Sequence, residues 1–156
     1  MTPLNSTDLT PEQIETLEDS TEDYGYLFWC VGHVRSLYPD LPYGEQKEKG
    51  QKAIHGLLSQ GLIALFRGTA FAGEETELAS SEWKAVLADP MQWDWEQYQD
   101  KDWVDGEVQF RYGSTKQGEK VYQYDPQIGA YYQTQFWKDH HPHQWGYYRG
   151  QEVGKS

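Results

Sequence analysis

The sequence has few of the features that place a protein in a membrane or in an oxidising compartment. Cys30 is its single cysteine, so an intramolecular disulfide is impossible and a reducing cytoplasm is the expected location. No apolar run approaches the roughly 20 residues that a membrane-spanning helix needs. Residues 1–23 contain neither a basic n-region nor an apolar h-region, so no signal peptide is predicted. We therefore expect a cytoplasmic protein that does not enter a membrane, with Cys30 as a buried structural residue.

Positive charge is also scarce, because the chain has 13 Lys and Arg against 25 Asp and Glu and a formal net charge of -12. Such a charge repels the phosphate backbone of nucleic acids. The acids, however, are concentrated in two blocks. Residues 1–34 hold seven acids and no Lys or Arg, and residues 74–107 hold eleven acids and two bases. Residues 35–73, between these blocks, carry an excess of two bases, so the net charge does not exclude DNA binding there.

The sequence contains no recognisable catalytic or nucleotide-binding motif. It has no P-loop, no G-x-G-x-x-G and no nucleophile elbow. His33 and His55 fall on predicted helices, where a packed or surface role is expected rather than a role as a catalytic base. We therefore predict that the protein is not an enzyme, has no catalytic residues and uses no cofactor.

Three histidines close to the C-terminus form the clearest candidate for a metal site. His140, His141 and His143 follow Asp139, and imidazole is a good ligand for zinc, nickel or copper. Pro142 interrupts any helical spacing among them, and the chain offers neither a second cysteine nor an H-E-x-x-H partner. We predict no dedicated metal site here, and a polar tail that binds metal only adventitiously.

Hydrophobic periodicity predicts a chain rich in helices with two widely separated strands. Thr10, Pro11 and Gln13 form a helix start with a capping box, and the apolar stripe that follows fits one long helix or two with a break near 20–23. Gly61 is placed to end a helix in a left-handed cap. The further predicted elements are a helix over 43–60, a strand over 62–66, a helix from Ser80 or Ser81 to Pro90, a strand over 108–112 and a short helix over 114–122.

These elements indicate an α+β fold in which the two strands pair as a small antiparallel ribbon. The chain is divided into an acidic, partly helical N-terminal segment (1–20), a central domain (21–122) and a C-terminal extension (123–156). The extension is rich in Tyr, Gln and His and has no dependable period, so an irregular tail is expected there.

The helix–glycine–strand unit from Leu57 to Gly68 resembles the helix-to-strand junction of winged-helix domains. The chain also resembles small bacterial proteins, some of them similar to immunity proteins, that combine this junction with two further patterns. These are Asp-Pro-x-x-Trp at 89–93 and Thr-x-x-Gly-x-x-x-Tyr at 115–122. The resemblance implies a winged-helix-like domain over 21–122 that binds either protein or DNA, since the fold alone does not decide between them.

The second acidic block suggests a surface that contacts a protein partner. Aromatic side chains supply binding energy at interfaces, and acidic side chains steer a chain toward a basic partner. The alternative is that these aromatics are core anchors of a long connection. The predicted function is a non-enzymatic protein-binding module, such as an immunity- or antitoxin-type inhibitor of a basic partner. The predicted contact residues are Trp93, Asp94, Trp95, Glu96, Tyr98, Asp100, Asp102 and Trp103.

A DNA-binding transcription regulator of the winged-helix type is the alternative function. In such a protein the exposed face of the second helix and a basic wing would contact DNA. The residues available for this role are Lys47, Lys49, Lys52 and Arg67. The helix over 43–60 carries a net charge of only +1, however, and could equally be an ordinary solvated surface.

Overall fold

The computed structural model describes residues 8–72, 74–141, 147–148 and 151–152. Within these ranges the fold is α+β, as predicted. Two 3₁₀ turns, Ser80–Glu82 and Pro90–Trp93, accompany the helices. The helices are α1 (Pro11–Glu22), α2 (Leu27–Leu37), α3 (Tyr43–Ser59), α4 (Trp83–Ala88), α5 (Trp95–Tyr98), α6 (Lys116–Tyr124), α7 (Pro126–Tyr132) and α8 (Gln135–His140). The strands are β1 (Gly25–Tyr26), β2 (Ile63–Thr69), β3 (Glu75–Glu77), β4 (Val108–Ser114), β5 (Tyr147–Tyr148) and β6 (Gln151–Glu152).

The central sheet is antiparallel and has the strand order β1-β4-β2-β3. Its middle pair, β2 and β4, runs from the partners Ile63 and Ser114 at one end to Thr69 and Val108 at the other. This is the ribbon predicted from two strands that are far apart in the sequence. The short edge strands β1 and β3 were not predicted, since two or three residues are too few to show alternation. β5 and β6 pair separately as a two-stranded ribbon.

The first apolar stripe forms two helices rather than one. Thr10 and Gln13 make the predicted capping box, in which each side chain accepts from the backbone N–H of the other residue. α1 ends at Glu22, and β1 intervenes before α2 begins at Leu27. The extended backbone at Asp23 ends the first helix and redirects the chain, so the stripe continues on a separate element.

The predicted helix–glycine–strand unit is present between α3 and β2. Gly61 has a φ of +73°, a conformation that glycine adopts without the steric cost of a Cβ. The backbone N–H of Leu62 donates to the carbonyl of Leu57 at 3.0 Å, which closes the helix end. Strand β2 then carries Ile63 and Leu65 into the core, where both are at most 1% exposed.

The C-terminal segment is helical as far as His140 and does not follow the irregular course that the sequence suggested. Asp125 and Thr134 accept backbone N–H groups at the starts of α7 and α8. Tyr132 and Trp137, one on each helix, are fully buried in the core. Helices of seven and six residues are too short to display a period, which is why the sequence did not show them.

A single hydrophobic core extends beyond both ends of the predicted 21–122 domain. Leu17 on α1 and Ile128 on α7 belong to the same cluster as Ile54 on α3 and Tyr112 on β4. The boundaries predicted near residues 20 and 122 therefore do not coincide with a break in the packing. Among the residues that the structure describes, no helix is both long enough and apolar enough to cross a bilayer.

Candidate functional site

The acidic block between α4 and β4 is built from short capped turns that lie against α2, α3 and the sheet. The Asp89 carboxylate accepts from the backbone N–H of Met91 at 3.0 Å at the start of a 3₁₀ turn. The Asp94 carboxylate accepts from the backbone N–H of Gln97 at 3.1 Å and begins α5. Gly106, with a φ of +88°, redirects the chain into β4. The segment is thus structured without a helical or strand period.

Two of the predicted contact residues pack against the body of the molecule, Trp93 fully buried and Trp95 partly buried. Trp93 is 1% exposed, and its indole N–H donates to the carbonyl of Leu87 at 3.0 Å. Trp95 packs so closely on α2 that a Cβ at Gly32 would lie 2.8 Å from its indole nitrogen. The guanidinium of Arg35 covers its ring at 4.3 Å. These two tryptophans anchor the segment, which was the alternative interpretation of its aromatics.

Asp94 and Glu96 meet the hydroxyl of Tyr43 at the start of α3. This hydroxyl donates to the Asp94 carboxylate at 3.2 Å and accepts from the backbone N–H of Glu96 at 3.1 Å. Asp94 is half-buried, whereas the Glu96 side chain is exposed. Asp94 therefore serves to position α5, and Glu96 is free to face a partner.

Tyr98 and Trp103 line a recess of about 240 Å³ between the acidic segment, the start of α2 and the sheet. Tyr26 stacks between Phe28 and Trp103, with 5.3 Å between ring centroids on each side. Tyr98 lies 6.3 Å from Trp103 and 6.2 Å from Phe28. The four rings form a continuous aromatic wall on one side of the cavity. We call this cavity the aromatic recess. The residues that line it are Tyr26, Phe28, Asp89, Met91, Gln92, Tyr98, Lys101, Trp103, Glu107, Val108, Gln109 and Phe110.

Cations and carboxylates surround these rings. The Lys101 ammonium lies 4.9 Å from the Trp103 ring centroid, 5.6 Å from that of Tyr98 and 3.2 Å from the Glu107 carboxylate. The backbone N–H of Val104 donates to Glu107 at 2.8 Å, and this bond together with Lys101 lowers the pKa of the Glu107 carboxyl. Glu107 is thus held in its charged form beside the recess.

Further carboxylates in this region face solvent. Asp100, Asp102 and Asp105 are exposed and flank Lys101 and Trp103 in the sequence. The structure therefore divides the eight predicted residues into three groups. Trp93, Asp94 and Trp95 hold the segment in place, Tyr98 and Trp103 line the recess, and Glu96, Asp100 and Asp102 are exposed acids.

The four cations proposed for DNA contact differ in their surroundings. Lys49 lies 3.7 Å from the buried carboxylate of Glu12, and Lys47 lies 4.7 Å from the ring centroid of Tyr43. Lys52 and Arg67 are exposed. Because Glu12 offsets the charge of Lys49, the positive charge available on α3 is smaller than the sequence suggests. DNA binding stays a prediction.

The structure brings together a second polar cluster that sequence reasoning missed. Two of the acids on α1, Glu12 and Glu15, are only 2% and 3% exposed. The hydroxyl of Tyr38 donates to Glu12 at 2.9 Å, and that of Tyr131 donates to Glu15 at 2.6 Å. The only local signal was the three- and four-residue spacing of acids along α1, which places them on one helix face.

His33 links this cluster to α2 through both of its ring nitrogens. Its Nε2 lies 2.5 Å from the Asp19 carboxylate, and its Nδ1 lies 3.5 Å from that of Glu15. Burial opposes the charged imidazole, but the bond to Asp19 and the charges of Asp19 and Glu15 raise the pKa of His33. With both nitrogens facing carboxylates, the ring has no free lone pair with which to act as a general base.

One of the three C-terminal histidines, His141, extends the same cluster. His141 lies 3.4 Å from the Glu15 carboxylate through Nε2 and bonds the Trp137 carbonyl through Nδ1. The bond to Glu15 raises the pKa of His141. His140 bonds the carbonyl of Phe136, and His143 lies outside the described residues. Within the described part of the chain, no group of His, Cys, Asp and Glu has the arrangement of a metal site.

Cys30 lies in the core of α2, as expected for a structural cysteine. Its side chain is fully buried, and its thiol lies 3.5 Å from the carbonyl of Gly50. Burial raises the pKa of the Cys30 thiol to about 12, so the reactive thiolate is not populated near neutral pH.

No protein-family model, curated protein or solved structure matches the chain. The resemblance to winged-helix domains and to immunity-type proteins therefore stays a prediction. The residues that carried it have identifiable structural roles, because Asp89 caps a turn, Trp93 fills the core and Thr115 caps α6. The features of the molecule that bear on its function are therefore the aromatic recess and the acidic side chains around it.

Proposed function

We propose that this protein is a non-enzymatic, cytoplasmic protein-binding module that docks on a basic partner through the surface formed by residues 89–108. Its concrete form is an immunity- or antitoxin-type inhibitor, in which the acidic surface covers the basic region of a toxin. The observation that carries the proposal is the coincidence of an open aromatic recess with exposed carboxylates on one capped segment. The indole of Trp103 and the carboxylates of Asp100 and Asp102 are its central groups.

The charge distribution supports this docking mode. Residues 74–107 hold eleven acids and two bases, and Asp100, Asp102 and Asp105 are exposed within that block. A cluster of exposed carboxylates accelerates the encounter with a basic partner and disfavours binding to acidic proteins. The other acidic block contributes less, because Glu12 and Glu15 on α1 are buried.

Apolar side chains at the same end of the sheet complete the surface. Val104 and Val108 are 65% and 43% exposed, and Met91 beside the recess is 40% exposed. Phe71, in the loop after β2, is 77% exposed and has a φ of +67°. A bulky residue in that conformation costs free energy, and its exposed ring gains nothing from the core, which points to a use outside the fold. An apolar patch rimmed by acids is typical of a protein-interaction site.

The proposal is tested by neutralising the exposed carboxylates. We expect the triple variant Asp100→Asn, Asp102→Asn, Asp105→Asn to lose the partner that the wild type captures from native lysate at low salt. Capture by the wild type should weaken steeply as salt is raised, because exposed charges are screened. Quantitative mass spectrometry of both captures measures the difference.

A control variant removes the same charge from another surface. Asp40→Asn, Glu45→Gln and Glu48→Gln change exposed acids on or just before α3, far from the segment in sequence, and should leave capture intact. Equal capture by the wild type and both triple variants would contradict the proposal. Loss of capture in the control variant alone would move the contact surface to α3 and its surroundings.

A further inference from the structure

We propose that the aromatic recess is a receptor for a single arginine side chain of the basic partner, with Lys101 occupying its aromatic face until the arginine displaces it. This inference rests on the proposed function and specifies the chemistry of the partner. It is carried by three observations on the described residues: the geometry of the rings, the position of Lys101, and the carboxylates in the wall.

The rings present the kind of surface on which a planar cation stacks. Tyr26 stacks on Trp103 with 11° between their planes, and the Arg111 guanidinium lies 5.5 Å from the Tyr26 ring centroid. The faces left for a cation of the partner are those of Trp103 and Tyr98, which are inclined to each other by 23°. The aromatic face carries the negative part of the ring quadrupole, and tryptophan attracts cations best among the aromatic residues. The wall therefore favours a cation over a neutral side chain of similar size.

Lys101 shows that a cation can occupy this site. Its ammonium lies within 6 Å of the ring centroids of both Trp103 and Tyr98, which is the range of a cation–π contact. Besides these ring contacts, the Lys101 ammonium lies 3.2 Å from the Glu107 carboxylate. A flexible four-carbon stem allows this ammonium to leave the rings and the Glu107 carboxylate when an arginine enters.

A guanidinium fits the recess better than the ammonium it would replace. Asp89 and Glu107 line the recess. Both oxygens of Asp89 already accept hydrogen bonds, from Met91 and Gln92. Glu107 is therefore the carboxylate that can replace its Lys101 contact with two parallel N–H groups of a guanidinium, whereas it meets an ammonium as a point charge. A guanidinium is also more weakly hydrated and stacks on aromatic faces. The volume of about 240 Å³ is smaller than the roughly 300–1,000 Å³ typical of small-molecule sites and suits one long side chain.

The test uses a short blocked peptide with one central arginine, compared with the same peptide carrying citrulline. Citrulline has the same shape and length but no charge. Titration is followed by the indole N–H resonance of Trp103 in a ¹⁵N-labelled sample, assigned with Trp103→Phe. We expect the arginine peptide to shift this resonance saturably and to bind at least about ten-fold more tightly than the citrulline peptide. Equal affinities, or no shift with either peptide, would overturn the inference.

Lys101→Ala provides a gain of binding that a misfolded variant could not produce. Removing the Lys101 ammonium clears the faces of Trp103 and Tyr98 and frees Glu107, so the affinity for the arginine peptide should rise several-fold. Lys120→Ala removes an equal charge from an exposed position on α6 and should leave the affinity unchanged. Unchanged or weaker binding in Lys101→Ala, or an equal gain in Lys120→Ala, would contradict the displacement of Lys101.

The outcomes separate this inference from the proposed function. If capture of a partner depends on the exposed acids but the arginine peptide does not bind, the inference fails and the docking surface stands. If the arginine peptide binds but capture is insensitive to those acids, the recess takes a cation and the proposed docking mode fails. A lysine peptide that binds as tightly as the arginine peptide would overturn the choice of guanidinium.

Discussion

Histidine often acts as a catalytic base, but His33 has a structural role in this protein. Its two ring nitrogens face Asp19 on α1 at 2.5 Å and Glu15 at 3.5 Å, and Glu15 in turn lies 3.4 Å from His141. The hydroxyl of Tyr112 on β4 donates to Asp19 at 3.2 Å. The cluster therefore ties α1 to α2, to the sheet and to the end of α8.

This cluster makes the stability of the fold depend on pH. The pKa values of His33 and His141 are raised above 6.5, so their contribution is fully present below that value and is lost as pH rises through the folded-state pKa. The bonds from His141 and Tyr131 outweigh burial and lower the pKa of Glu15 below 4.5. Its contribution is present above 4.5 and is lost as pH falls through the lowered value. These three groups together stabilise the fold most between pH 4.5 and 6.5.

We predict that His33→Gln flattens the loss of stability on the alkaline side. Urea unfolding of the wild type should give a smaller free energy at about pH 8.5 than at about pH 5.5, and the variant should show a smaller difference. His55→Gln, at an exposed position on α3, should behave as the wild type. Identical pH dependence in the wild type and His33→Gln would show that His33 does not carry this linkage.

Among the elements, α6 is placed by a contact that only glycine permits. The Thr115 hydroxyl accepts from the backbone N–H of Gly118 at 3.0 Å and donates to the carbonyl of Gly61 at 2.6 Å. A Cβ at Gly118 would lie 1.9 Å from the carbonyl oxygen of Leu62. The helix start therefore rests directly on Gly61 and Leu62, between α3 and β2, which explains the Thr-x-x-Gly spacing in the sequence.

We predict that Gly118→Ala lowers the free energy of unfolding by about 2 kcal/mol or more, because the added methyl group forces α6 away from β2. The control is Gly44→Ala on α3, where a Cβ would meet no atom within 4 Å. That variant should be neutral or stabilised by up to about 1 kcal/mol through helix propensity. Chemical denaturation of both variants measures the contrast. A Gly118→Ala protein as stable as Gly44→Ala would contradict the close approach.

Elements with strong local signals were predictable, and elements defined by distant partners were not. The capping box at Thr10 and the cap at Gly61 are each decided within a few residues. Strand β4 was predicted from alternation, but its buried face is not the apolar one throughout, because Val108 is exposed and Gln109 is buried. α7 and α8 are short and gain stability mainly from burying side chains such as Trp137 in the core. Local periodicity could not reveal helices whose stability comes from tertiary packing.

At the scale of the whole molecule, the two acidic blocks differ in the exposure of their carboxylates. Glu15 on α1 is buried, and Tyr131, which donates to it, comes 116 residues later in the chain. No local sequence pattern could have predicted this hydrogen-bond partner. The block at 89–107 was correctly singled out as rich in acids and aromatics, yet its sequence did not show which tryptophans would be buried. Tyr26 and Phe28 join the recess only because the fold brings α2 beside Trp103.

Site-specific photo-crosslinking tests most directly whether this surface is the one that binds. A p-benzoylphenylalanine placed at position 102 lies on the proposed surface, and one placed at position 52 lies on the exposed side of α3. In cells that produce the protein, we predict a crosslink from position 102 to a basic protein, weakened by Asp100→Asn and Asp105→Asn, and none from position 52. Crosslinks from position 52 without any from position 102, or crosslinks to nucleic acid, would contradict it.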